Sequence, residues 1–215
     1  MKPVQVTDEL EDYMLGLLPK RDAVLTRLEE HAAREGVPIV GPHEGMLLHV
    51  LARAANAKRI LELGAATGYS GLWLLRGGGA EASLTTIEMD PARAALARSS
   101  LAEAGAGLSA EVVEDDVFAA LERLPGPFDL VFDDLLNSMP DERAIERLFR
   151  AGLERVRSGG LLLADNALRL GEVVHPSGQQ ARNVATYNRL VAAEPSLVAV
   201  IVPLRDGLSV ARVKD

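Results

Sequence analysis

The sequence predicts a doubly wound α/β fold: a mostly parallel sheet, helices on both faces and an antiparallel hairpin at the end. The first observation is that short apolar runs alternate with helical patterns from Lys58 onward, as in βαβ units. The runs are RILEL, SLTTIE, SAEVVE, FDLVFDD and GGLLLAD. The second is that LVAVIVPL and LSVARVK flank RDG, and an Asp-Gly turn between two strands predicts a hairpin.

Helical spacing of apolar residues places the helices between these strands. The pattern predicts helices near 71–77, 91–105, 117–123, 141–156 and 181–193. Residues 8–36 predict two helices separated near Pro19, and EGMLLHVLARAANA predicts a third. The absence of repeats and linkers predicts one domain, 1–215, whose first part, 1–45, forms a helical cap or lid.

Composition narrows the function classes. The chain has 215 residues, no cysteine and a net charge of -8. The lack of cysteine excludes disulfides and thiolate metal sites, and the acidic balance argues against a nucleic-acid partner. No stretch of eighteen uncharged apolar residues is present, and the segment MKPVQVTDELEDY has no apolar core of a signal peptide. We therefore expect a cytoplasmic protein without a membrane partner.

The first predicted strand ends in ELGAATGYSG, which contains Glu62, Gly64 and Gly68. Glu88 ends the second strand twenty residues after Gly68, where a carboxylate could accept both ribose hydroxyls of a nucleoside. The spacing is not G-x-G-x-x-G, which argues against a nicotinamide dehydrogenase. The acidic Glu62 suits a cationic ligand, so the pattern favours S-adenosylmethionine; an ordinary strand-to-helix turn is the simpler alternative.

Oxygen ligands follow the next two strands. Asp133 and Asp134 end FDLVFDD, and Asp165 and Asn166 end the following strand. Asp134, Asp165 and Asn166 match a hard cation such as Mg²⁺ or Ca²⁺. Neighbouring strand residues point to opposite faces, so Asp133 is expected to cap a helix or pair with an arginine. The alternative is that these acidic residues merely surround a solvated cleft.

Taken together, these segments resemble the cation-dependent class I O-methyltransferases, the family of catechol and caffeoyl-CoA O-methyltransferases. The resemblance covers nearly the whole chain, and its most specific parts are FDLVFDD, GGLLLADNAL and VIVPLRDGLSVARVK. It implies a Rossmann-like, seven-stranded sheet whose last strand is antiparallel. It also implies methyl transfer to a small phenolic substrate with vicinal hydroxyls, and a homodimer.

The resemblance implies roles for individual residues. Asp134, Asp165 and Asn166 would hold a divalent ion, Mg²⁺ or alternatively Ca²⁺ or Mn²⁺. Glu88 would bind the ribose and Asp116 the adenine amino group of S-adenosyl-L-methionine. The remaining cofactor-binding residues would be Glu62, Gly64, Gly68, Tyr69, Ser70, Met89 and Val117, with Asp134 beside them.

The chain departs from the family pattern at three places. Ala66 and Thr67 replace glycine or aromatic residues in the first glycine motif, where the family varies. Asp115 stands where the family often has glycine, beside the adenine pocket. Asn137 stands where catechol enzymes carry a lysine that serves as general base, and an amide cannot accept a proton at neutral pH. The predicted catalytic set is therefore Asp134, Asn137 and His175, with His175 as an alternative proton acceptor or a loop residue of no special role. A binding protein with weak or no catalysis is the competing function.

Overall fold

The computed structural model describes residues 4–105 and 109–215, and its centre is one seven-stranded sheet in the order β3-β2-β1-β4-β5-β7-β6. The strands are β1 (Arg59–Leu63), β2 (Ser83–Glu88), β3 (Ser109–Glu114), β4 (Phe128–Asp133), β5 (Val156–Ala164), β6 (Leu197–Val202) and β7 (Leu208–Val213). Strands β1 to β5 are parallel, and β7 runs antiparallel between β5 and β6. The predicted mixed sheet and terminal hairpin are confirmed.

Helices cover both faces of the sheet. They are α1 (Asp8–Leu17), α2 (Ala23–Glu35), α3 (Gly41–Ala54), α4 (Tyr69–Gly78), α5 (Pro91–Glu103), α6 (Val117–Arg123), α7 (Glu142–Leu153) and α8 (Gln179–Ala193), with a 3-10 segment at Arg169–Val174. Pro19 lies between α1 and α2, at the predicted break. The helix predicted to reach residue 156 ends at Leu153, since the side chain of Arg155 donates to the Ala151 and Leu124 carbonyls and closes the helix.

The helices before the sheet differ in how they pack. Helix α1 buries no residue, whereas α2 buries an apolar stripe that includes Leu25 and Leu28. The predicted cap boundary at residue 45 falls inside α3, and residues 1–3 of the predicted cap lie outside the described part of the chain. Whether this region acts as a lid stays a prediction.

Close packing joins α3 and α4 beside the sheet. A methyl group at Gly45 would overlap the indole of Trp73, lying 2.5 Å from Cδ1 and 2.8 Å from Cε2. Trp73 is itself held between the rings of His49 and Tyr69, at 6.4 and 6.3 Å. Glycine at position 45 therefore sets the distance between α3 and α4, and with it the position of the amino end of α3.

The β6–β7 connection is longer than the two-residue turn that RDG suggested. Five residues, 203–207, separate the two strands, and Val202 pairs with Leu208. Arg205 and Gly207 both have positive φ angles, 51° and 86°. The extra residues carry this connection back over the carboxyl ends of the parallel strands.

In residues 4–105 and 109–215 no helix combines the length and the apolar character needed to cross a bilayer.

Candidate functional site

A cavity of about 890 Å³ lies at the carboxyl ends of β1, β2, β4 and β5. Strand order reverses at β1, which has β2 on one side and β4 on the other. Such a switch point leaves a crevice where ligands bind in doubly wound sheets. The predicted residues that line the cavity are Gly64, Glu88, Met89, Asp134, Asn137, Asp165 and Asn166. Residues from α2, α3 and the β6–β7 connection close its other side.

The loop after β1 is held in place by Glu88. Gly64 and Gly68 have φ angles of 97° and 85°, a conformation that glycine adopts without strain. The Ala66 N–H donates to Glu88 Oε2 at 2.9 Å, and the Asp90 N–H donates to Oε1 at the same distance. Glu88 thus has a fixed orientation at the cavity wall, with further lone pairs for a ligand hydroxyl.

Three predicted cofactor residues lie beneath this loop instead of in the cavity wall. Glu62 is completely buried, and its two oxygens accept hydrogen bonds from Ser70 Oγ and Thr86 Oγ1, both at 2.6 Å. Tyr69 is also buried, and its hydroxyl donates to Glu29 Oε1 at 2.8 Å. Glu62 and Ser70 therefore join β1 to α4, and Tyr69 joins α4 to α2, from behind the glycine loop.

Burial gives Glu62 an unusual acidity. It raises the pKa of this carboxyl to about 7, and the Ser70 and Thr86 hydroxyls oppose the shift. Gly71 makes the burial possible, because a methyl group there would lie 2.7 Å from Glu62 Oε2.

The residues predicted near the adenine divide between cavity and helix. Met89 lines the cavity and is 71% exposed, an unusual exposure for a large apolar side chain. Asp116 precedes α6, where its Oδ1 accepts the Phe118 and Ala119 N–H groups at 2.9 and 3.1 Å. Val117 begins that helix and is buried. Among the described residues, Asp116 and Val117 are outside the cavity wall.

The three predicted metal ligands come together at the cavity wall. Asp134 and Asp165 follow adjacent strands, and their N–H groups continue the sheet by donating to Leu63 and Asp133 carbonyls, at 2.9 and 3.0 Å. Asn166 has a φ of 61°, a left-handed conformation that asparagine tolerates better than most residues. This turn brings the amide beside the two carboxylates.

Negative charge accumulates at these ligands. Burial raises the pKa of Asp134, and the neighbouring Asp165 carboxylate raises it further. Burial also raises the pKa of Asp165, although the Asn166 N–H donates to its Oδ1 at 2.5 Å. In the described chain, neither aspartate forms a salt bridge with lysine or arginine.

Glu44 adds a third carboxyl from α3. It is buried, it approaches Asp165, and both of its oxygens lack a hydrogen-bond donor among the described residues. Burial and the Asp165 carboxylate raise the pKa of Glu44 far above its ordinary value. Two carboxyls this close cannot both be ionised without compensation, which the proton they share, or a divalent cation in its place, would supply.

The donor set therefore fits a hard cation, with two carboxylates and one amide as the nearest ligands. In residues 4–105 and 109–215 no three Asp, Glu, His or Cys side chains converge tightly enough to hold an ion by themselves. The amide of Asn166 would supply the third oxygen of such a set.

Asp133 has neither of the roles expected for it. It is 2% exposed, and its Oδ1 accepts the Leu135 N–H at 2.9 Å. The expectation of a helix cap or an arginine partner is wrong, because the chain turns directly after β4 and the carboxylate closes that turn. Burial raises the pKa of Asp133 to about 7.

The two predicted proton-transfer candidates lie in different places. Asn137 lines the cavity, and its Nδ2 donates to Asn166 Oδ1 at 2.9 Å, so it orients a predicted ligand. His175 is exposed after the 3-10 segment and, among the described residues, lies outside the cavity wall. The structure thus brings Asn137 to the site and leaves His175 away from it.

The residues of the cavity wall that sequence reasoning missed include Glu44 and Arg205. Glu44 lies on the same helical stripe as the buried residues Gly41, Gly45 and Leu48. A carboxyl on an otherwise apolar stripe was a usable signal. Arg205 gave no comparable signal, because its position depends on where the β6–β7 connection folds.

Comparison with known proteins assigns this chain to a family. A family model described as O-methyltransferase matches residues 19–214. The chain is 31% identical to a catechol O-methyltransferase from Niastella koreensis, over 98% of this chain and 99% of that protein. The chain therefore belongs to the O-methyltransferase family.

Solved structures agree with that assignment. The O-methyltransferase TomG from Streptomyces achromogenes, involved in tomaymycin synthesis and solved with SAM, has a TM-score of 0.85 and 30% identity, covering 96% of each chain. The O-methyltransferase from Bacillus cereus, solved with SAH, has a TM-score of 0.84 and 27% identity, covering 96% of this chain and 97% of that one.

Proposed function

We propose that this protein is an S-adenosylmethionine-dependent and divalent-metal-dependent O-methyltransferase acting on a small aromatic substrate with vicinal hydroxyls. The observation that carries the proposal is the group of Asp134, Asp165 and Asn166, beside the buried carboxyl of Glu44. A protein that only bound a nucleoside would gain nothing from this cluster of acids. The relatives solved with SAM and SAH support the choice of methyl donor.

Residues of β1 and β2 would bind the donor. Glu88, fixed by two backbone N–H groups, would accept the ribose hydroxyls, and Gly64 would let the donor approach the strand closely. Met89 would cover the base with its exposed side chain. Glu62, Tyr69 and Ser70 would not contact the donor, and their role would be to fix the loop on which it lies.

Residues of β4 and β5 would position the acceptor. When bound, a divalent ion supplies acidity and orientation to two neighbouring substrate hydroxyls. Asp134, Asp165 and Asn166 would hold that ion, and Asn137 would keep the Asn166 oxygen turned toward it. Positioning of donor and acceptor in one cavity would then supply much of the rate.

The hydroxyl proton would leave without a lysine base. Asn137 has no basic atom, and His175 lies away from the cavity wall in the described chain. The carboxylates of Asp134 and Asp165 remain as the nearest acceptors, and water in the open cavity could carry the proton onward.

The test is a methyl-transfer assay on a catechol with Mg²⁺ and with a chelator. Product is expected with Mg²⁺ and not with the chelator. Asp134→Ala should lose both activity and Mg²⁺ binding, measured by calorimetry, while Asp215→Ala, an exposed change of equal charge, should keep both. Turnover that persists in the chelator would contradict metal dependence.

A binding protein with weak or no catalysis is the second candidate, and one observation favours it. Asn137 stands at the cavity wall with an amide, which is not basic at neutral pH, so this position offers no proton acceptor. Tight binding of S-adenosylhomocysteine without methyl transfer to any vicinal diol would support this candidate over an enzyme.

We also propose a homodimer acting in the cytoplasm. Helix α1 buries nothing in the single chain, and Val198 and Val200 of the edge strand β6 are 64% and 61% exposed. A second copy covering α1 or this edge would bury them. Sedimentation equilibrium tests the dimer, because a monomer mass at micromolar concentration would contradict it.

A further inference from the structure

Arg205 has an unfavourable backbone conformation at the edge of the cavity. Its φ of 51° is rare for a residue with a side chain. The surrounding turn is held by three hydrogen bonds from the segment after Asn166. Leu168 and Ala167 N–H groups donate to the Asp206 and Gly207 carbonyls, both at 2.8 Å. The third, from Leu170 N–H to Asp206 Oδ1, measures 2.5 Å.

This rigid turn directs the Arg205 guanidinium across the start of α3. A methyl group at Gly41 would overlap Nη1, so glycine there makes room for the arginine. Nη2 donates to the Ile39 carbonyl at 3.3 Å. Ile39, Asp165 and Leu170 line the cavity beside Arg205. The strained turn therefore places a cation in the part of the wall next to the predicted metal ligands.

A second source of positive potential lies beneath it. Helix α3 has fourteen residues, and no side chain caps its amino end. The helix dipole makes such an end attractive to anions, although Pro42 lacks an N–H and Glu44 places a carboxyl in the first turn. Arg205 and the amino end of α3 thus both favour the binding of an anion.

Arg205 is exposed, so water or a ligand can reach most of its N–H groups. The guanidinium has five N–H groups, and among the described residues the Ile39 carbonyl is its acceptor. No carboxylate oxygen of the described residues lies within 4.0 Å of it. Asp165 and Glu44 lie farther away, where the charge of Arg205 opposes the rise in their pKa without forming an ion pair.

We propose that Arg205 binds a carboxylate of the aromatic substrate, so that the preferred acceptors are vicinal-dihydroxy aromatic acids. This inference rests on the proposed function. A guanidinium binds a carboxylate through two parallel hydrogen bonds, which fixes the ring's orientation as well as adding affinity. The ring would lie between Ile39 and Leu170, with its hydroxyls toward Asp165.

The experiment compares 3,4-dihydroxybenzoic acid with 3,4-dihydroxybenzamide, which differ in charge but hardly in shape. Binding of each is measured by calorimetry with Mg²⁺ and S-adenosylhomocysteine present, and turnover is measured separately with the methyl donor. Wild type is expected to bind the acid about tenfold or more tightly than the amide. Arg205→Gln should bring that ratio close to one and leave turnover of the amide measurable.

Two further variants separate recognition from folding. Arg205→Gly relieves the positive φ and should lose the acid preference with an unchanged or higher Tm. Arg143→Gln removes an equal charge from an exposed position on α7 and should keep the wild-type ratio.

The outcomes distinguish this inference from the function on which it rests. An acid preference that survives in Arg205→Gln and Arg205→Gly overturns the inference alone, as does equal binding of acid and amide by wild type with normal turnover. Weaker S-adenosylhomocysteine binding in Arg205→Gln with an unchanged ratio would assign the guanidinium to the donor's carboxylate and also overturn it. No binding and no turnover of either compound by wild type would overturn both proposals.

Discussion

Glu62→Gln should change how the stability of the protein depends on pH. In the folded chain, burial raises the pKa of Glu62 from 4.5 to about 7, and both oxygens are occupied by Ser70 and Thr86. The folded state therefore holds a proton between pH 4.5 and 7 that the unfolded state releases. The contribution of Glu62 to stability is thus greatest below pH 4.5 and falls as the pH rises through 7.

The size of the effect follows from the shift. The rise of the pKa from 4.5 to about 7 corresponds to about 3 kcal/mol, most of which falls between pH 5 and pH 8. Glutamine keeps the shape and carries no proton to lose. Relative to wild type, Glu62→Gln should therefore gain about 2–3 kcal/mol in free energy of unfolding between these two pH values.

The assay is urea unfolding of both proteins at half-unit steps from pH 5 to pH 8, without metal or cofactor. Asp133, with its pKa also raised to about 7, titrates in the same range, so only the difference between variants isolates Glu62. Glu88 and Asp134 are the acidic residues near Glu62, and both compared proteins contain them. Glu111→Gln, exposed on β3, is the matched control and should follow wild type. A difference that is flat across this range would refute the assignment of a buried, protonated Glu62.

Two further predictions concern packing and catalysis. Gly45→Ala should lower the free energy of unfolding by about 2 kcal/mol, since overpacking against Trp73 outweighs the helical gain of about 1 kcal/mol. Gly16→Ala is the control, because Gly16 has open space around it and the change should not lower the free energy of unfolding. Equal melting temperatures of Gly45→Ala and wild type would contradict the packing argument. Asn137→Lys should raise catechol turnover at least about tenfold by supplying a base, despite losing the contact to Asn166. Unchanged turnover at saturating Mg²⁺ would show that a missing base does not limit the rate.

The glycine loop shows how far sequence reasoning reached within the site. The spacing of Gly64, Gly68 and Glu88 predicted a nucleoside site at the ends of the first two strands, and in the structure the Ala66 N–H of the loop donates to Glu88. Spacing could not reveal that Glu62 would be buried, because its two donors lie on different elements. Ser70 is on α4 and Thr86 on β2. Whether a carboxylate faces a ligand or the interior depends on such distant donors.

The sequence by itself determined the order of strands and helices along the chain and the residue types at the strand ends. Both are local properties, since side-chain periodicity selects the element and parallel strands end at one edge of a sheet. Only the tertiary structure decided which charged groups meet there. Glu44 approaches Asp165, and Arg205 lies across Gly41, through contacts between segments more than 100 residues apart. Such contacts depend on how α3 and the β6–β7 connection pack over the sheet. The local periodicity of side chains does not determine these packing distances.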